Sequence, residues 1–205
     1  MRIHPRRIVG LVLTALCCAA TLAHPAQEPD YEGYYAKGTT FAAFLEKTKS
    51  RREEWRAHYN DAAVTAEMMT RMRAIPERRR ILVVAEDWCG DSVNTVPYLA
   101  RLVDGAPERL EMRLIDSKAG RTIMEAYRTP DGRAATPTIV VLGPDGRVIG
   151  SLTERPAALR AWLDQQNAGA AGGSSAQGLH ERTMKWYAED AGQATVAEIA
   201  EILAR

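Results

Sequence analysis

The chain has 205 residues, 46% of them hydrophobic and 26% charged, with a net charge of +1. That composition supports a packed soluble core and suits one domain with extensions better than two full domains. A charge so near neutral gives no electrostatic reason to expect nucleic acid as a partner.

The first 23 residues read as a secretory signal peptide. Arg2, His4, Arg6 and Arg7 form a basic start, residues 8–22 carry no charge, and Thr21-Leu22-Ala23 offers a small-x-small cleavage site, with Ala26 as a second. The competing reading is an uncleaved membrane anchor. The apolar run has 15 residues, whereas a spanning helix needs about 20. Ile-Val-Gly after Arg6-Arg7 does not strengthen a twin-arginine signal, and Cys17 and Cys18 follow no convincing lipoprotein pattern. Cleavage removes three arginines and no acid, which takes the net charge from +1 to −2. It also removes two of the three cysteines and leaves Cys89. A lone thiol in an oxidising compartment is buried, capped, or reactive toward another molecule.

Residues 24–38 contain Pro, Glu and Gly and read as extended or mobile. Thr40 can cap a helix on which Phe41, Phe44, Leu45, Thr48, Trp55 and Tyr59 share one face. A second helix is expected at about 62–75, with Met68, Met69 and Met72 as core filler and Pro76 ending it. Ile81-Leu82-Val83-Val84-Ala85 has the pattern of a strand covered on both faces. Val93, Val96, Leu99, Ala100 and Val103 then recur at helical steps, and Pro97 inside that helix should kink it. Residues 110–115 alternate as a strand, 119–128 read as a helix and 129–133 as a turn. Thr138 to Leu142 is a buried strand, Pro144-Asp145-Gly146 a hairpin turn, 147–151 the returning strand and 156–166 a helix. Three strands joined through crossover helices imply a mostly parallel sheet with one antiparallel edge. A Gly/Ala/Ser-rich linker follows, then two short helices from His180 and Thr195, the second with a Thr195/Glu198 capping box.

The chemistry concentrates in Glu86-Asp87-Trp88-Cys89-Gly90-Asp91-Ser92, directly after the first strand. Trp88-Cys89-Gly90 after a buried strand, Pro97 eight residues past the cysteine, Thr136-Pro137-Thr138 opening the next strand and a hairpin at Asp145-Gly146 together resemble the thioredoxin family. The resemblance covers about residues 78–166. More narrowly, the chain is similar to a bacterial subgroup with an Asp-Trp-Cys-Gly-Asp site, an N-terminal helical extension and a C-terminal helical segment. It implies an α/β, thioredoxin-like fold: a mixed sheet of about four core strands with flanking helices, plus N- and C-terminal helical extensions. The implied organisation is a signal peptide at 1–23, a mostly helical extension at 24–77, the thioredoxin-like domain at 78–166, a flexible linker at 167–178 and a helical segment at 179–205. It further implies that Cys89 lies exposed at the start of the kinked helix, that Pro137 is cis beside the sulfur, and that the Thr136 backbone offers hydrogen bonds to an extended substrate.

Three departures shape the expected chemistry. Ser92 stands where a second, resolving cysteine belongs, Asp91 replaces the usual proline, and Val83 occupies the place of the family's buried acid. Thiol–disulfide exchange needs one thiolate to attack and another thiol to release the product. Cys89 alone permits a mixed disulfide that a small thiol such as glutathione, acting as co-substrate, then resolves. Ser92 is a candidate hydroxyl donor to the sulfur. Trp88, Gly90, Asp91, Thr136 and Pro137 are candidate substrate-binding residues. A helix N-terminus lowers a thiol pKa, whereas Glu86, Asp87 and Asp91 oppose a further negative charge. Asp91 is also a candidate cap for the N–H groups at the helix start. The expected function is an exported, periplasmic or extracellular monothiol oxidoreductase acting on protein or low-molecular-weight thiols and disulfides, without stable membrane insertion. The alternative is a non-catalytic module that binds through the groove beside Pro137. Cys89, His58, His180 and His24 share no ligand spacing, so no metal site is expected. Arg51-Arg52 and Arg78-Arg79-Arg80 read as solvated helix ends.

Overall fold

In the computed structural model, residues 28–169 and 175–205 are described; the signal-peptide reading and residues 170–174 of the expected linker lie outside them. The elements in chain order are α1 (Tyr31–Lys37), α2 (Phe41–Lys47), α3 (Arg52–Asp61), α4 (Ala66–Arg73), β1 (Arg79–Val84), α5 (Gly90–Val93), α6 (Val96–Asp104), β2 (Leu110–Ile115), α7 (Arg121–Ala126), β3 (Thr138–Leu142), β4 (Val148–Thr153), α8 (Ala157–Gly169), α9 (Ala176–Asp190) and α10 (Gln193–Leu203). The four strands form one mixed sheet in the order β2-β1-β3-β4.

β1 is the centre of the molecule because its residues are apolar on both faces. Ile81 and Val83 point into one core with Leu99 and Leu102 of α6 and Ile199 and Leu203 of α10. Leu82 and Val84 point into the opposite core with Tyr35 of α1 and Ile123 of α7. All four β1 side chains are fully buried, each worth about 1.5–3 kcal/mol relative to exposure.

The sheet is less parallel than the strand–helix alternation implies. β1 and β2 are parallel, but β3 runs antiparallel to β1, as β4 does to β3. The connection through α7 returns the chain to the end of the sheet that it left, and Thr138 pairs with Val84.

The helical extensions also differ from expectation. Residues 31–37 are helical rather than extended, because Asp30 caps α1 by accepting from Gly33 N at 2.9 Å. The single helix expected over Phe41 to Tyr59 is two. Asp87 Oδ2 accepts from Lys49 N at 2.7 Å and Ser50 N at 3.1 Å, and Arg51 takes a left-handed conformation with φ 56°. Backbone groups that a continuous helix would pair internally are satisfied from outside it. Thr39 adds a two-way backbone bridge to Leu114, covering part of the β2 edge.

At the other end, α8 and α9 reach into the segment expected as linker. The expected capping box does not form. Gly192, not Thr195, is the N-cap of α10, and Glu198 accepts instead from Ala157 N at 2.7 Å, capping α8. Ala191 (φ 49°) and Gly192 (φ 77°) turn the chain from α9 into α10 through two consecutive left-handed residues. A Cβ on Gly192 would stand 2.1 Å from Tyr98 Cγ. Gly192→Ala should therefore cost about 2–4 kcal/mol, since it combines backbone strain with overpacking. Urea denaturation measures this, and a loss under about 0.5 kcal/mol would show that the corner is not constrained in this way.

Candidate functional site

The turn after β1 delivers Cys89 to the N-cap of α5. Its backbone N donates to the Glu86 carbonyl at 3.1 Å, and its own carbonyl accepts from Val93 N at 3.0 Å. Cys89 Sγ accepts from Ser92 N at 3.4 Å, and the thiol donates to the Thr136 carbonyl at 3.3 Å. The sulfur thus takes the place that a Ser or Asp oxygen fills in an ordinary helix cap. The Thr136–Pro137 peptide bond is cis, which brings the start of β3 to the sulfur. Cys89 is the one cysteine among the described residues and has no disulfide.

The thiol is more enclosed than the resemblance implied. Cys89 is 9% exposed, because both hydrogen bonds draw Sγ inward and neighbouring elements close over the next residue. A Cβ on Gly90 would meet Arg51 Nη1 at 3.1 Å and the Met184 methyl at 3.6 Å. Trp88, immediately before the cysteine, is 63% exposed and is the one exposed large hydrophobic among the described residues. Ser92 is fully buried. Its backbone, not its hydroxyl, reaches the sulfur, and Ser92 Oγ has no hydrogen-bond partner among the described residues.

Each of the three acids is engaged away from Sγ. Glu86 Oε1 accepts from Ser117 N at 2.8 Å and Ser117 Oγ at 2.5 Å. Asp87 holds the α2–α3 corner, and its carbonyl accepts from Trp55 Nε1 at 3.0 Å. Asp91 caps no backbone N–H. Its Oδ1 accepts from Arg155 Nε at 3.1 Å and from the Tyr187 hydroxyl at 2.9 Å. Burial pushes the Asp91 carboxyl up from its ordinary value, against the opposing pull of Arg155. Burial likewise pushes the Tyr187 hydroxyl well up. Asp91 is therefore held by Arg155 and Tyr187 rather than by the helix start.

The expected kink is a full break. α5 ends at Val93 and α6 begins at Val96, with Pro97 in its first turn. Proline has no N–H for the carbonyl four residues earlier, which is that of Val93. His58 Nδ1 donates to that carbonyl at 2.8 Å; a carbonyl only accepts, so this nitrogen carries the proton. The His58 ring also stacks on Tyr98 at 5.3 Å.

The structure thus gathers Cys89, Ser92, Gly90, Thr136 and Pro137 around one sulfur, with Trp88 at the rim and Asp91 beneath. Trp55, His58, Arg155, Met184 and Tyr187 complete the surroundings, and they come from segments outside the motif. A hollow of about 380 Å³ lies elsewhere, lined by Phe41 and Leu45 of α2, Tyr59 of α3, Val103 of α6 and Met112 of β2; Cys89 is not in its lining.

A family model described as thioredoxin matches residues 38–168. The chain is similar to the crystal structure of a protein of unknown function from Pseudomonas aeruginosa. They share 20% identity and a TM-score of 0.66, over 86% of this chain and 98% of that one. It is also similar to an HIV epitope scaffold at 18% identity and a TM-score of 0.65, over 84% of this chain and 96% of the scaffold. No curated protein matches.

The raised Asp91 carboxyl has a signed consequence. The folded chain holds this proton to higher pH than the unfolded chain, whose value is near 3.8. Stability from Asp91 is therefore full below that value and declines as pH rises through the folded one. The urea midpoint of the wild type relative to Asp91→Asn should fall as the pH rises above about 4. A difference that grows with pH would mean that Arg155 dominates burial.

Proposed function

Because the chain belongs to the thioredoxin family, we propose that it is a monothiol thiol–disulfide oxidoreductase acting through a mixed disulfide at Cys89, within a single-cysteine Trp-Cys-Gly-Asp subgroup. The observation that carries this reading is the placement of Cys89 Sγ, which receives the Ser92 N–H at the start of α5 and touches the carbonyl preceding cis Pro137.

The reaction has two exchanges. The Cys89 thiol gives its proton to solvent, and the thiolate attacks one sulfur of a disulfide. A Cys89–S–S–R bond forms as the substrate S–S bond breaks, and the other sulfur leaves as a thiolate. A thiolate of the small co-substrate then attacks the R sulfur. A small-molecule disulfide departs and Cys89 thiolate is restored. The substrate sulfur that leaves is reduced to a thiolate, the one co-substrate sulfur is oxidised into the departing disulfide, and the R sulfur passes from one disulfide to the next. Ser92 cannot perform the second step, so an external thiol must.

In this reading Ser92 positions the sulfur through its backbone, Gly90 and Thr136 shape the approach, and Pro137 and Trp88 flank the incoming disulfide. No helix among the described residues is long and apolar enough to cross a membrane. The N-terminal 23 residues support export to the periplasm or beyond.

Trp88, exposed beside a 9% exposed cysteine, favours a second reading: a non-catalytic module that docks a partner on the groove at Pro137. The two readings separate on Cys89→Ser. In reduction of a glutathione mixed disulfide, the wild type should turn over at least about tenfold faster than this variant. Equal rates would leave the binding reading.

A further inference from the structure

An element from the far end of the chain packs beside the Cys89–Gly90 turn. α9 packs on α8 through Leu159, Leu163 and Tyr187, and the Tyr187 hydroxyl bonds to Asp91 at 2.9 Å. One turn earlier, Met184 Sδ accepts from Asn94 Nδ2 at 3.8 Å, and its methyl lies over Gly90. Arg51 closes on Gly90 from the N-terminal side, and the Thr136 carbonyl closes on the sulfur itself.

Resting on the mixed-disulfide reading above, we infer that α9, through Met184 and the Tyr187–Asp91 bond, is a specificity element that restricts Cys89 to disulfides whose attacked sulfur belongs to a low-molecular-weight thiol. Exchange places the attacking, central and leaving sulfurs nearly in line. A sulfur inside a polypeptide brings main chain on both sides of its Cβ, and that chain needs an open groove over the Cys89–Gly90 turn. Met184 and Arg51 occupy this space. A small thiol carries a single substituent and needs less room over that turn. The residues that set the restriction form no bond with the sulfur, so narrowing the substrate range does not alter the reacting group.

The test is the single-turnover rate of mixed-disulfide formation at Cys89, read by intact mass, with oxidised glutathione and with native insulin. Wild type should react with insulin at least about 100-fold more slowly than with glutathione. Met184→Ala should raise the insulin rate about tenfold and move the glutathione rate less than about threefold. Tyr187→Phe, which removes only the hydroxyl, should act in the same direction. Equal wild-type rates with the two disulfides would overturn the inference and leave the mixed-disulfide reading standing. So would insulin rates unmoved in both variants. Failure with both disulfides would remove the mixed-disulfide reading, and the specificity inference with it.

Discussion

The Asp91 carboxylate is the point on which the assembly around Cys89 depends. It sits in α5, two residues past the sulfur, and one of its oxygens serves both Arg155 and Tyr187. Arg155 belongs to the corner between β4 and α8, and Tyr187 to α9. One side chain therefore ties the cysteine turn to the sheet and to the C-terminal segment. Removing one partner of a buried ion pair costs about 3–5 kcal/mol. With 15% and 20% of these side chains exposed, screening brings this pair below that range. The opposing side is tied as firmly by Trp55, His58 and the Asp87 corner. The extensions are thus parts of the site's walls rather than appendages to a finished domain.

That arrangement also decides which groups surround the thiol. Three acids within three residues of Cys89 look hostile to a thiolate. Each is neutralised or directed elsewhere by a specific donor: Ser117 for Glu86, Lys49 and Ser50 backbone for Asp87, Arg155 and Tyr187 for Asp91. What faces the sulfur is the Ser92 N–H and the Thr136 carbonyl. Ser92 holds the thiol in place through its backbone, which any residue could supply. Its hydroxyl remains buried and unmatched among the described residues. A buried unmatched hydroxyl costs stability, so the residue is not explained by packing alone.

Most of the α/β domain was legible because its signals are local. The apolar run of β1, the alternation of β2, and the turns at Asp145-Gly146 and Thr129 to Arg133 each follow from a few adjacent residues. What escaped depends on distant partners. The direction of β3 rests on how the whole connection through α7 folds, and the break at Lys49 to Arg51 on the distant Asp87 carboxylate. Glu198 has the spacing to close its own helix, whereas it caps α8. The motif located the sulfur and its neighbours. Arg155, Met184 and Tyr187 carry no pattern that marks them, since an arginine after a strand or a tyrosine in an amphipathic helix has many ordinary uses. The 9% exposure of Cys89 likewise rests on distant partners, the Thr136 carbonyl 47 residues on among them.

The central claim is that the enclosed Cys89 sulfur still exchanges with a small disulfide and is released by a second small thiol. Intact-mass measurement of the purified protein, first with oxidised and then with reduced glutathione, tests it most directly. The account predicts one glutathione adduct, mapped to Cys89, that forms in the first step and disappears in the second. A Cys89 that stays unmodified, or one that forms an adduct reduced glutathione cannot remove, would contradict it.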